Sequence, residues 1–153
     1  MEPAKKSVSG NIEQIHSRCI ACGSENEDGL HLRFEKIEEE RLTAKFQCND
    51  GYQGYSGILH GGIVSLILDS AMCNCVFAQG KAALTAEMNV RFHHPVLTER
   101  EAWVSAIIKR SSHSLYFLEA EIVQDNEIKA SATAKLLDQS ESLTGFDRGY
   151  IKK

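Results

Sequence analysis

Gly57-Ile58-Leu59-His60-Gly61-Gly62-Ile63-Val64-Ser65-Leu66-Ile67-Leu68-Asp69-Ser70-Ala71-Met72-Cys73-Asn74-Cys75-Val76-Phe77-Ala78 is the stretch that decides the fold. From Ile58 to Ala78 it holds no Lys, Arg or Glu, and its single acid is Asp69. A surface helix carries charge along its outer stripe, so a helix that is apolar all round is expected inside a core, with the rest of the chain wrapped about it. A carboxylate there is costly unless it is hydrogen-bonded, paired or reached by solvent, which makes Asp69 a candidate for proton transfer. At the other end, His60-Gly61-Gly62 leaves backbone N–H groups free at a helix start, where the dipole favours negative charge.

Spacing sharpens this. Gly61 and Asp69 are eight positions apart, which on one helix means about 12 Å along the axis and roughly 80° around it. The two cannot easily reach one carbonyl carbon from the same copy of the helix. If both act on one substrate, they are expected to come from two chains of a symmetric dimer.

At 153 residues the chain is expected to form one domain with a real core. Its formal net charge is −4, with acids and bases interspersed. That argues against nucleic acid or an anionic membrane as partner and favours a small molecule or a second copy of the chain. Met1 to Gly10 lacks the apolar segment of a secretory leader. The Ile58 to Ala78 run is interrupted by His60, Ser65, Asp69, Ser70 and Asn74 too often for a membrane span. Five cysteines, an odd number outside any disulfide framework, fit a reducing, cytoplasmic setting.

Residues 1–27 read as a polar arm ending in the turn Cys19-Ile20-Ala21-Cys22-Gly23. His16, Cys19, Cys22 and His31 or Cys48 are conceivable zinc ligands, but a second cysteine pair is missing, so two reduced thiols in a plain turn is the favoured reading and no metal is expected. Residues 28–138 read as the domain, and 139–153 as a polar tail. Within the domain, period-two alternation marks strands with one buried face. The buried sets are Leu30, Leu32, Phe34; Leu42, Ala44, Phe46; Ala82, Leu84, Ala86, Met88, Val90, Phe92; Tyr116, Leu118, Ala120, Ile122; and Ile128, Ala130, Ala132, Ala134, Leu136. The more continuously apolar run from Ala102 to Ile108, with Trp103, is expected to be covered on both faces. Turns are expected at Glu38-Glu39-Glu40-Arg41, at Ser111-Ser112-His113-Ser114 and, as a tight hairpin, at Asp125-Asn126, while Pro95 closes the strand ending at Phe92. The predicted order is two strands, one long buried helix, then four strands in a meander: an α+β architecture with the helix on the concave face of an antiparallel sheet.

Gly57-Ile58-Leu59-His60-Gly61-Gly62 with Asp69 nine positions after the histidine, Thr85-Ala86-Glu87-Met88-Asn89-Val90, Arg91-Phe92-His93-His94-Pro95-Val96, and Cys19 to Cys22 through Gly29-Leu30-His31-Leu32 together carry a resemblance. The chain resembles hotdog-fold acyl-CoA thioesterases of the phenylacetyl-CoA thioesterase (PaaI-like) kind over roughly residues 19–137. The resemblance implies hydrolysis of an acyl-CoA thioester to the free acid and coenzyme A, without a cofactor, in a homodimer or a dimer of dimers. It implies that the Gly61 N–H holds the thioester carbonyl, that Asp69 of the partner chain is nucleophile or general base, that Thr85 places the water or the carboxylate, and that His60 shapes the helix start. Many members carry Asn six positions before the histidine. Here that position is Gly54, and the adjacent Gln53 is the candidate stand-in.

Gly62, Gln53, Asn89 and Arg110 complete the candidate substrate contacts; Lys109, Arg110 and the serines that follow are candidates to meet the coenzyme A phosphates near a sheet edge, although such a turn is more often merely exposed. Glu87, expected on the same strand face as Thr85, is a second candidate carboxylate. Tyr52, Tyr55, Met72 and Phe77 are candidates for an acyl pocket, although core packing is their commoner role. The bland reading of Asp69 is membership of a polar stripe with Ser65 and Asn74; that of His60 is a core histidine bonded to backbone. The rival function is a non-catalytic acyl-CoA-binding protein, a sensor or carrier that needs no acid at position 69.

Overall fold

The computed structural model describes residues 13–144. The expected arm and tail therefore lie partly outside the described residues, at 1–12 and 145–153. The strands are β1 (Glu35–Glu38), β2 (Arg41–Gln47), β3 (Ala83–Phe92), β4 (Glu101–Ser112), β5 (Leu115–Gln124) and β6 (Glu127–Asp138). The long helix α1 spans Gly61–Phe77, a 3-10 turn spans Asp50–Tyr52, and a short helix α2 spans Ser140–Thr144. Among the described residues the strands form one antiparallel sheet in the order β1-β2-β4-β5-β6-β3. The sheet curves around α1, which packs against β2 to β6.

The core follows from the two periodicities. Val64, Ile67, Leu68, Ala71, Met72, Cys75 and Val76 of α1 are buried, and so are Leu42 and Ala44 of β2, Ala102, Val104, Ala106 and Ile108 of β4, Leu118, Ala120 and Ile122 of β5, and Ala130, Ala132, Ala134 and Leu136 of β6. Alanines on the central strands let the helix lie close to the sheet, and each fully buried large aliphatic such as Leu68 contributes about 1.5–3 kcal/mol. Asp125 and Asn126 both adopt left-handed backbone (φ 53° and 60°), the requirement of the tight hairpin expected there. His113 (φ 54°) turns the chain between β4 and β5.

Four expectations are corrected. First, β3 does not precede β4 in a meander. It crosses to the far edge and pairs with β6. Residues 93–100 make this crossing over the sheet's end, and buried Gln124 pins them, accepting from Leu97 N at 2.8 Å and donating to Leu97 O at 2.9 Å. Second, Leu30 and Leu32 are not in a strand of the sheet. Their N–H groups bond to Ile20 O and Ala21 O, His31 between them is left-handed (φ 51°), and β1 begins only at Glu35. Third, β4 is covered on one face alone, because Trp103 remains 47 % exposed. Lys45 approaches its ring at 5.8 Å.

The fourth correction bears on chemistry. A bulge between Thr85 and Glu87 shifts the register of β3 against β6, and an extra residue in one strand reverses the alternation. Thr85 lies opposite fully buried Leu136 and so faces the helix, whereas Leu84 lies opposite Leu137 on the outer face. Beyond the bulge, Met88 and Val90 oppose buried Ala134 and Ala132, and Glu87, Asn89 and Arg91 face outward. Ala83 and Thr85, not Leu84, form the inward set at this end of β3.

Candidate active site

The start of α1 is built by its own sequence. His60 is the N-cap (φ −58°, ψ 135°), and its Nδ1 accepts the Gly62 N–H at 2.8 Å. Its carbonyl accepts Val64 N at 3.0 Å. His60 thus satisfies a helix-end donor. A side chain at Gly62 would bring its Cβ to 3.0 Å from His60 Nδ1, so the glycine makes room for the cap. Among the described residues no acceptor meets the Gly61 N–H, which sits at the positive end of the helix dipole. A Cβ at Gly61 would meet the Phe92 ring, Cε1 at 3.6 Å and Cζ at 3.7 Å, both ordinary contacts.

An open, mostly apolar cleft of about 430 Å³ adjoins this amide, lined by Tyr55, Ile58, Leu59, Val64, Phe92 and Pro95 among others. Gln53, expected to touch substrate, braces the loop above it. Its Oε1 accepts Gly57 N at 3.1 Å, with Gly57 at φ 77° where glycine is favoured. Gly54 packs on His60, since a Cβ there would come within 3.3 Å of the imidazole Cδ2. A larger residue at this position would press on the cap.

Asp69 lies eight positions along the same helix, half-buried. Thr85 Oγ1 donates to its Oδ1 at 2.5 Å, a charge-assisted contact that fixes the carboxylate's rotamer. The β3 bulge makes this possible by turning Thr85 toward the helix. Cys73, one helical turn after Asp69, brings its Sγ within 3.8 Å of Thr85 Oγ1. Burial, and then the Asp69 charge, pushes the Cys73 thiol up to about 12, so it stays protonated and is no nucleophile. Sequence reading missed Cys73. The available signal was its position four after Asp69, which places both on one helix face.

The remaining candidates are elsewhere in the single chain. Asn89 faces outward opposite Thr133, in a shallow depression of about 460 Å³ that also includes Arg91 and Lys109. The Arg110 guanidinium stacks 3.7 Å from the Phe117 ring centroid on the same outer side, beyond a second register shift between Ile108 and Arg110. Glu87 does not share a face with Thr85: it points outward and pairs with Lys135 at 3.5 Å. Met72 is a fully buried core residue, Phe77 stacks on His16 (4.3 Å between centroids), and Tyr52 donates to Asp28 O at 3.2 Å. Of the four acyl-pocket candidates, Tyr55 lines the cleft and is 84 % exposed.

Among the described residues no three His, Cys, Asp or Glu side chains converge with metal-holding geometry. His16 Nδ1 lies 3.8 Å from Cys22 Sγ, but Cys48 is engaged by Gln124 at 3.8 Å and His31 is exposed.

The Thioesterase superfamily model matches residues 56–131, the segment that holds Gly61, Asp69 and Thr85. The chain is similar to acyl-coenzyme A thioesterase THEM4: 37% identical to the Bos taurus protein over 73 residues, covering 46% of this chain and 30% of that one. With the Rattus norvegicus protein it is 27% identical over 125 residues, covering 77% and 54%. The chain thus spans at most about half the length of these curated relatives. Its fold superposes on that of the E. coli PaaI protein from the phenylacetic acid degradation operon with a TM-score of 0.72, at 16% identity over 85% of this chain and 94% of that one. A hypothetical thioesterase from Streptococcus pneumoniae, solved with coenzyme A, gives a TM-score of 0.67 at 14% identity, covering 71% and 89%. Single alanine variants of that protein have also been solved, one at an aspartate and one at a threonine sixteen positions later.

Proposed function

The chain belongs to the thioesterase superfamily and has the hotdog fold, and from that premise we propose that it hydrolyses acyl-CoA thioesters to the free acid and coenzyme A. The observation that carries this reading is the Thr85–Asp69 hydrogen bond on a helix whose N-terminal amide, at Gly61, is left without an acceptor among the described residues. Thioester hydrolysis develops negative charge on the carbonyl oxygen. A preorganised amide at a helix N-terminus stabilises that charge by a few kcal/mol. The carboxylate supplies the second requirement, taking the proton of an attacking water or attacking the carbonyl carbon itself. Thr85 holds one carboxylate oxygen and leaves the other for this task.

Two copies of the chain share each site in this proposal. The edge position of β3, with Leu84 54 % and Phe92 58 % exposed, supports pairing with its own copy. In one chain α1 and β3 run antiparallel, Thr85 touching Asp69 at one end and Phe92 adjoining Gly61 at the other. A two-fold axis through the middle of β3 therefore sets Thr85 and Asp69 of one subunit beside the Gly61 amide of its mate. The 12 Å gap along one helix is closed by symmetry. Gln53 and Gly62 shape the cleft beside that amide, and Asn89, Arg110 and Lys109 on the outer face are offered to the coenzyme A phosphates. The coenzyme A found in the Streptococcus pneumoniae neighbour supports this choice of leaving group. Free cysteines support a reducing, cytoplasmic setting, and no described helix is long and apolar enough to cross a membrane.

The test is incubation with a panel of acyl-CoAs and a thiol reagent. Release of coenzyme A is expected for at least one acyl class, and binding without release throughout the panel would leave a sensor or carrier instead. The shared site is tested by mixing Asp69→Ala chains with Gly61→Pro chains. Heterodimers regain one intact site and part of the activity, and inactive heterodimers of confirmed composition would remove the cross-chain arrangement.

A further inference from the structure

The thioesterase reading leaves Cys19-Ile20-Ala21-Cys22-Gly23 unused, yet this turn is tightly constructed. Gly23 N bonds to Cys19 O at 2.9 Å, closing one helix-like turn that sets positions 19 and 22 on one side, at the three-residue spacing whose Cβ atoms approach to about 5–6 Å. Ala21 N donates to Cys19 Sγ at 3.4 Å. A Cβ at Gly23 would fall 2.3 Å from Cys19 N and 2.5 Å from Ser17 O, both backbone atoms, so the closed turn depends on glycine. Cys19 is half-buried and reachable, while Cys22 is buried.

Cys22 also clamps the turn to the catalytic helix. Asn74 Nδ2 donates to Cys22 Sγ at 3.6 Å and to Ser70 O at 2.8 Å. His16, stacked on Phe77 at the end of α1, places Nδ1 3.8 Å from the same sulfur. Cys73, neighbour of Asn74, touches Thr85, which holds Asp69. The dithiol thus stands one residue from the helix turn that carries the acid.

We propose that Cys19 and Cys22 form a reversible dithiol–disulfide site whose oxidation by hydrogen peroxide loosens the Asn74 clamp and lowers thioesterase turnover; the effect on turnover rests on the function proposed above. Cys19, as its thiolate, attacks one peroxide oxygen. The O–O bond breaks, and with one proton the products are Cys19 sulfenic acid and water. Cys22 sulfur then attacks Cys19 sulfur, its S–H proton passing to neighbouring His16 Nδ1 and on to solvent. The S–OH bond breaks and takes up a proton as a second water. Two thiols lose two protons and two electrons, and the peroxide gains them to become two waters. Burial keeps the His16 ring below its ordinary range, so it is neutral near neutral pH and free to accept. In the disulfide, Cys22 sulfur moves toward Cys19 and leaves Asn74 and His16. A thiol-based reductant reverses the change.

Trypsin, cutting after Arg18 and Arg33, releases Cys19–Arg33 as one peptide containing both cysteines and no others. After brief exposure of the full chain to hydrogen peroxide, this peptide is expected to lose two hydrogens in mass and to regain them with dithiothreitol. A peptide that stays reduced, or that goes straight to higher oxides, would overturn the site. Acyl-CoA turnover is expected to fall several-fold with disulfide formation and to recover on reduction. The Cys19→Ser variant, altered at the reachable position, is expected to keep its turnover through the same treatment. If that variant loses activity as the parent does, the coupling to α1 is wrong even where the disulfide forms. A chain that forms the disulfide but hydrolyses no acyl-CoA before treatment would instead overturn the thioesterase reading and leave the redox site standing.

Discussion

Thr85 and Glu87 stand two positions apart on β3 and face opposite sides of the sheet, Thr85 donating to Asp69 and Glu87 paired with Lys135. One extra residue at the bulge separates a carboxylate's partner from a surface ion pair. Replacing Thr85 by Val, of similar shape, removes the donor to Asp69. A hydrogen bond to a charged group is worth about 1.5–3 kcal/mol, so kcat/KM is expected to drop about ten- to a hundredfold. Glu87→Gln is expected to stay within about twofold of the parent, since an exposed ion pair contributes about 0–1 kcal/mol. Steady-state hydrolysis of one responsive acyl-CoA measures both, and the reverse pattern would transfer the acid's role to Glu87.

Asp69→Asn keeps size and removes the charge. Hydrolysis is expected to fall by about 10²-fold or more while circular dichroism and oligomeric state stay as in the parent. A single turnover in heavy-oxygen water then separates the two chemistries open to the carboxylate. Label recovered in Asp69 identifies attack by the carboxylate and excludes direct attack by water.

Gly61 is the first residue of α1, the one helical position where proline is well tolerated. His60 before it already has the extended backbone a following proline requires (φ −58°, ψ 135°). Gly61→Pro therefore deletes one N–H with little disturbance of the helix. Turnover is expected to drop about 10²-fold, the cost of one oxyanion donor, with the melting temperature within a few degrees. An active, folded Gly61→Pro enzyme would exclude the amide from catalysis.

His60→Ala removes the cap from Gly62 N and is expected to cost about 1 kcal/mol, or about 2–4 °C in melting temperature. His60→Asn supplies another capping acceptor and is expected to restore most of the stability. Activity that returns along with stability identifies His60 as a cap. If stability returns and activity does not, the imidazole has a chemical role.

Burial pushes the thiols of Cys48 and Cys75 up to about 11 and that of Cys73 up to about 12, from an ordinary 9.0. Each folded value lies above its unfolded one, so the unfolded chain releases these protons first. Their contribution to stability is complete below about pH 9 and is lost as pH rises through about 11 and then 12. Melting temperatures taken from pH 8 upward are expected to decline more steeply for the parent than for Cys75→Ala. Parallel profiles would show that this thiol carries no linkage.

Much of the architecture was readable before any coordinates. The uncharged run around Asp69 required a buried helix, Asp125-Asn126 required its hairpin, and alternation named the inward faces of β5 and of β6 from Ala130 onward, though Ile128, expected inward, is 45 % exposed beside the register shift after Ile122. The bulge at Ala86 was not readable, because an alanine continues either parity of an alternating strand and only pairing with β6 reveals the shift. The path of β3 to the far edge was hidden for a related reason. Alternation states which face is buried and is silent on which strand lies alongside. Trp103 and its neighbours looked buried on both faces because a large aromatic and aliphatic side chains leave the same trace in an apolar run whether a second layer covers them or not. At the site, the glycine–acid interval on the helix pointed to Gly61 and Asp69. Arg110 was offered as a basic residue beside an expected turn and Asn89 within the stretch that carries the resemblance, and the fold puts both on the outer face, across the sheet from the acid.

The uncapped rim formed by β3 has a practical side. Its ten residues pair with β6 on one side only, and the open side, beside bare Leu84 and Phe92, is also a template for indiscriminate strand addition. If two copies pair along this rim as proposed above, a lesion that keeps them apart should surface as turbidity and sedimenting aggregate, not as a tidy population of solitary subunits. Purification losses are therefore a sensitive first readout for damage along this border.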